Sequence, residues 1–148
     1  MIHAAVTGPR TGATKPALLA VAQTLCAYNV TVLHDGDAVG VDESVYHLAR
    51  ALGIHVILHP PKNYKWRAFC GDNRDTFRDE KEFHERDRDM VDESKFLISV
   101  PPTALDPSGT GGTGWTVDYA RSVNRPLVLI WPNGHATYER MEKIQWVI

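Results

Sequence analysis

The stretch IHAAVTGPRTGATKPALLAVAQTL, residues 2–25, decides the fold class. Ile2 to Thr7 is a short run rich in apolar residues that ends in the turn Gly8-Pro9-Arg10-Thr11-Gly12, so it reads as a strand. A helix is predicted from about Lys15-Pro16, since proline suits the first helical turn. Leu18, Val21, Ala22 and Leu25 recur at i, i+3, i+4 and i+7, the stripe a helix buries against a sheet.

The same unit repeats outward from there. Val30 to His34 reads as a second strand, followed by the turn Asp35-Gly36-Asp37-Ala38-Val39-Gly40. The next helix buries Val41, Val45, Leu48, Ala49 and Leu52 and stops at Gly53, a favourable residue just past a helix end. Ile54 to Leu58 forms a third strand, closed by Pro60-Pro61. Phe96 to Val100 is a fourth, Trp115 to Val123 a helix, and Leu127 to Trp131 a fifth strand. Ala136 to Ile148 reads either as a short helix or as a closing strand. Strands alternating with helices predict an α/β, Rossmann-like doubly wound parallel sheet of about five strands with helices on both faces.

Between the third and fourth strands the pattern changes. From Lys62 to Lys95, 19 of 34 residues are charged, 9 of them basic and 10 acidic. Much of this is a solvated insertion, at about residues 60–80, and a salt-bridged surface helix. Phe83 and Met90 nevertheless stand at i and i+7, giving a helix from about Lys81 to Glu93 an apolar edge. Arg86 and Asp87 fall on that same edge. The plainer account of Arg86 is an ion pair with Glu82.

The 148 residues carry 16 Lys plus Arg and 18 Asp plus Glu, a formal charge of −2, with 43% hydrophobic residues. That describes one globular domain, residues 1–148, with no need of a disulfide or metal to fold. The near-neutral balance argues against a nucleic-acid partner, and the lack of a long apolar run argues against a membrane. Met1-Ile2-His3 lacks the basic start of a secretory leader, so the expected location is cytoplasmic. Cys26 and Cys70 make neither a metal pair nor a disulfide framework. His55 and His59 are four apart, but on a strand that separation is about 13 Å, so no metal site and no cofactor are expected.

Ligands of an open parallel sheet bind beyond the carboxyl ends of its strands. Gly8 to Gly12, Asp35 to Gly40 and Thr110 to Gly114 all lie there, each leading into a helix whose free N–H groups favour an anion. Each glycine turn alone could serve strand-to-helix geometry; three that converge point to a phosphorylated ligand. The P-loop pattern is missing, and Gly8-Pro9-Arg10-Thr11-Gly12 is not the dinucleotide fingerprint. His34, at the end of its strand, suits a structural role better than a ligand contact. Asp42 reads as a helix-capping group, and Asp37 as a cap or a ribose contact. Tyr64, Trp66 and Phe69 either stack on a base or pack the charged loop onto the body.

Phe83-His84-Glu85-Arg86-Asp87-Arg88-Asp89-Met90, the strand from Phe96, and Thr110-Gly111-Gly112-Thr113-Gly114-Trp115-Thr116-Val117-Asp118 together resemble the SLOG superfamily. Its LOG branch carries M-H-E-R-K-x-x-M and P-G-G-x-G-T-x-x-E. Thr7-Gly8-Pro9-Arg10 and Gly36-Asp37-Ala38-Val39-Gly40-Val41-Asp42 look more like the small YspA-type members. The resemblance spans residues 2 to about 131.

It implies a Rossmann-like nucleotide-binding fold and, for LOG-type members, hydrolysis of the N-glycosidic bond of a nucleoside 5′-monophosphate. By position it makes Arg86 and Asp118 the catalytic pair. Gly8, Arg10, Gly36, Asp37, Gly111, Gly112, Thr113 and Gly114 become ligand- or phosphate-binding residues. It also implies a homodimer or higher homo-oligomer, because LOG-type sites are completed between subunits. Thr110 stands for the motif proline, Trp115 for its threonine, Asp87 for its lysine and Asp118 for its glutamate. Those departures keep open a second reading, a non-catalytic sensor of an ADP-ribose-like or other nucleotide-derived signal. Read from the residues alone, Asp118 lies about two turns into a helix whose side chains lean back toward its N-terminus. From there a carboxylate either faces a ligand on the glycines or stays exposed on the surface.

Overall fold

A computed structural model describes residues 1–142 of the chain. Five strands form its parallel centre: β1 (His3–Thr7), β2 (Val32–Asp35), β3 (His55–Leu58), β5 (Phe96–Ser99) and β6 (Leu127–Ile130). With the edge strands β4 (Thr76–Phe77) and β7 (Ala136–Glu139), the sheet has seven strands in the order β4-β3-β2-β1-β5-β6-β7. The fold is Rossmann-like α/β, and the expectation of about five strands is corrected by its two edges.

Both additions have local causes. β4 is two residues long and lies inside the charged insertion, where Thr76 and Phe77 pair in parallel with Ile57 and Leu58. So short a strand leaves no hydrophobic alternation to read. After β6, Pro132-Asn133-Gly134 turns the chain sharply, with Gly134 at φ 86° and its N–H bonded to the Trp131 carbonyl at 2.8 Å. A turn that short cannot make a parallel crossover, so β7 runs antiparallel to β6. The closing segment is therefore a strand as far as Glu139; residues 143–148 of the expected segment lie outside the described residues.

Among the described residues four α-helices cover the two faces: α1 (Lys15–Ala27), α2 (Val41–Ala51), α3 (Phe83–Asp92) and α4 (Gly111–Ser122). Strand alternation sends Ala4, Val6, Leu33, Val56 and Ile98 to one face, where they pack with Val21 and Leu25 of α1 and Val45 and Ala49 of α2. Ala5, Leu97 and Leu129 point the other way, onto Met90 and Val91 of α3 and Val117 and Ala120 of α4. α4 starts four residues before the expected Trp115, because Gly111 to Gly114 are helical despite their poor intrinsic propensity. Gly114 packs so tightly that a Cβ there would stand 2.1 Å from the Pro107 carbonyl oxygen.

Candidate functional site

The strand order reverses between β1 and β5, the place where such sheets hold ligands. A cavity of about 490 Å³ opens there. Its wall is drawn from the β1–α1 turn, the β2–α2 turn, α3, and the loop entering α4.

Glycines hold the first two turns together. A Cβ on Gly8 would lie 2.6 Å from the Val41 side chain. Gly40 has φ 94°, and a Cβ there would be 2.5 Å from the Pro9 and Arg10 backbones. The Val41 N–H donates to the Pro9 carbonyl at 3.2 Å across this contact. Only glycine tolerates both the conformation and the approach.

The start of α4 is different. A Cβ on Gly111 or Gly112 would meet nothing within 4 Å. Thr110 precedes the helix without capping it; its hydroxyl donates to the Pro107 carbonyl at 2.7 Å instead. The first-turn N–H groups therefore keep their donors, beside the positive end of the helix dipole. Gly111, Gly112 and Thr113 line the cavity, with Gly8 and Arg10 opposite. The exposed Arg10 guanidinium sits 4.1 Å from the Trp66 ring centroid. Trp66 thus packs the insertion against a cavity residue.

Arg86 lies at the buried side, 5% exposed. It does not pair with the Glu82 side chain. Nη1 donates to the Gly36 carbonyl at 2.9 Å, and Nε and Nη2 reach Asp87 Oδ1 at 3.1 and 3.0 Å. The second Asp87 oxygen accepts from the Thr116 hydroxyl of α4 at 2.9 Å. Asp42 also reaches the cavity wall. It does not cap α2: Gly40 holds that position, and Asp42 Oδ2 accepts from the Ala38 N–H at 3.4 Å. Burial pushes Asp42 up to about 7 against the pull of Arg86, with Asp87 adding to the rise. Asp35, fully buried behind it, is raised well above the carboxylate range by burial and by Asp42, and its Oδ2 has no hydrogen-bond partner. This end of the cavity sets a carboxyl group that titrates near neutrality beside a fixed guanidinium.

Of the residues singled out from sequence, Gly8, Arg10, Arg86, Gly111, Gly112 and Thr113 come together on the wall. Gly36 stands behind Arg86 through its carbonyl. Asp37 is buried at φ 52°, its carboxylate accepting from Arg67 Nε at 3.0 Å and the Cys70 N–H at 2.9 Å. It anchors the charged insertion. Gly114 packs under Pro107. Asp118 stands off the cavity wall: its carboxylate accepts from the Ser108 hydroxyl and, at 2.9 Å, from the Gly109 N–H. The Ser108–Gly109 loop folds back over α4 and takes both oxygens. Asp42, read from sequence as a cap, and Asp87, read only as sharing the helix edge of Phe83, Arg86 and Met90, are the wall carboxylates.

Comparison with known proteins gives the fold an independent footing. A crystal structure of TM1055, a structural-genomics target, superposes with a TM-score of 0.61 at 18% identity, covering 86% of this chain and 72% of that one. The likeness shows the Rossmann-like fold. No family model and no curated protein matches the sequence. Among the described residues no helix is long and apolar enough to cross a membrane.

Proposed function

We propose that this protein binds a nucleoside or deoxynucleoside 5′-monophosphate in the switch-point cavity and hydrolyses its N-glycosidic bond, releasing free base and (deoxy)ribose 5-phosphate. The observation that carries the reading is one cavity holding an uncapped helix N-terminus and Arg10 together with the side chains of Arg86, Asp87 and Asp42. Bare N–H groups and arginine suit a phosphate, and the resemblance to SLOG proteins points to the same ligand class. Pro102 also borders an adjoining cavity of about 560 Å³ that contains Trp131 and His135, apolar and aromatic enough for a base.

In this reading the C–N bond breaks through an oxocarbenium-like ribose, whose charge the Asp87 carboxylate stabilises while Arg86 holds Asp87 in place. Asp42, about half protonated at neutral pH because burial raises it to about 7, gives its proton to the departing base nitrogen. Water forms the new C–O bond and returns a proton to Asp42. Asp118 serves by holding the loop that enters α4. Assembly into a homodimer or higher homo-oligomer belongs to the same proposal and is read by light scattering.

The engagement of Asp118 by Ser108 and Gly109 favours a second reading, a binding module for an ADP-ribose-like or other nucleotide-derived signal. One assay separates the two: purified protein is incubated with a panel of nucleoside monophosphates, and free base is followed by chromatography beside thermal-shift controls. Free base that disappears with Asp42→Asn supports hydrolysis. Thermal stabilisation without product supports the binding module, and neither response with any nucleotide overturns both.

A further inference from the structure

On the α3 side of the sheet, the two-residue period of the strands lines up histidines where this fold otherwise places apolar side chains. His3 on β1, His34 on β2 and His59 just beyond β3 form a row, with ring centroids 5.1 Å apart at each step. His34 and His59 are buried, at 0% and 2% exposure. Nδ1 of His34 is 2.8 Å from Nε2 of His59, and Nε2 of His34 is 2.8 Å from Nδ1 of His3. Glu93, the residue closing α3, brings Oε2 to 3.8 Å from His59 Nε2.

We propose that His34, His59 and Glu93 form a binding site for one divalent cation of the zinc class, with His3 supporting His34 from behind. One ligand atom from each of the three lies within 4.8 Å of the others. Tetrahedral zinc with ligands at about 2.0–2.1 Å spaces them about 3.3 Å apart. His34 Nδ1 and His59 Nε2 share a hydrogen bond at 2.8 Å, which a cation entering between them would replace, and Glu93 Oε2 stands 3.8 Å from His59 Nε2.

The surroundings also fit a cation. The outer contacts are those that orient ligands: His34 turns its other nitrogen to His3, and Arg78 Nη2 donates to the free Glu93 oxygen at 2.8 Å. A surface cavity of about 310 Å³ has Glu93 and Arg78 on its wall, so the carboxylate side of the site meets solvent. His55, which pairs with His59 only in sequence spacing, is engaged by the Thr76 hydroxyl at 2.8 Å. The site shares no residue with the switch-point cavity, so it stands apart from the nucleotide reading.

The test uses the full chain, stripped with chelator and titrated with Co²⁺ alone and then with Zn²⁺. The expected result is one Co²⁺ per chain with visible ligand-field absorption that Zn²⁺ displaces. Zn²⁺ should also shift the ring resonances of His34 and His59. Because those two rings are buried, the deciding variant is Glu93→Ala at the exposed ligand, with folding checked by circular dichroism. At least about tenfold weaker Co²⁺ binding by Glu93→Ala supports the site, and a smaller change overturns it. Absence of Co²⁺ binding by the native chain, or Zn²⁺ shifts confined to His47, His84 and His135, also overturns it.

Discussion

Arg86 and Asp87 are neighbours in sequence and yet turn to the same buried place, their side chains 3.0 Å apart and each about 6% exposed. A helix normally separates successive side chains by about 100°, so the long guanidinium has to curl back past its own backbone to meet the shorter carboxylate. The pair then ties three elements together: Arg86 reaches the β2–α2 turn at Gly36, and Asp87 reaches α4 at Thr116.

Removing one partner leaves a buried charge uncompensated. Arg86→Ala is expected to cost about 3–5 kcal/mol of unfolding free energy. The Arg86→Ala, Asp87→Ala double variant should cost clearly less than the sum of the single changes. Urea unfolding of the four proteins in a double-mutant cycle checks this, and simple additivity would refute the coupling.

The pH dependence follows from Asp42. Its carboxyl titrates near 7 in the fold, well above its ordinary value of 3.8. Below about 4 both folded and unfolded chains hold the proton, and above 7 neither does. Between those limits the folded state binds more protons, so stability falls as pH rises. Asp42→Asn reduces that slope, the buried Asp35 and Asp87 being raised as well, and at pH 8 the variant should be more stable than the native chain by about 1 kcal/mol or more. Thermal melts at pH 5 and pH 8 measure it; parallel pH profiles for both proteins would count against a raised Asp42.

Two glycines of the site should respond oppositely to alanine. Gly8→Ala drives a methyl group into Val41, and is expected to lose about 2 kcal/mol or more of stability. Gly112→Ala meets open space on a helical residue and should gain up to about 1 kcal/mol. The same methyl group shields first-turn N–H groups at the cavity, so phosphate-dependent thermal stabilisation should weaken. Chemical unfolding with and without nucleotide separates the two effects.

Asp118 is expected to act through the loop it holds. Asp118→Ala frees the Ser108 hydroxyl and the Gly109 N–H, and limited proteolysis should cut between residues 103 and 110 several times faster. Ser108→Ala, which removes one of the two bonds, should give an intermediate rate. Equal resistance in all three proteins would dissociate Asp118 from the loop.

Much of this protein was legible in the order of its residues. The periodicities of residues 2–58 and 96–131, two for strands and 3.6 for helices, determine the five parallel strands and the covering helices, because local burial pattern dictates each element. The edge of α3 that carries Arg86 could be read in the same way, as could the convergence of three glycine turns at one end of the sheet. Tertiary structure decided what local pattern does not encode. It made β4 and β7 edge strands through pairing with β3 and β6, and it drew Asp118 onto the Ser108–Gly109 loop. It moved Asp42 from an expected cap to a buried acid beside Arg86. It also brought His3, His34, His59 and Glu93 together from positions up to 90 residues apart. Burial and long-range contact set the charge and reach of these side chains, and both exist only once the sheet has closed around them.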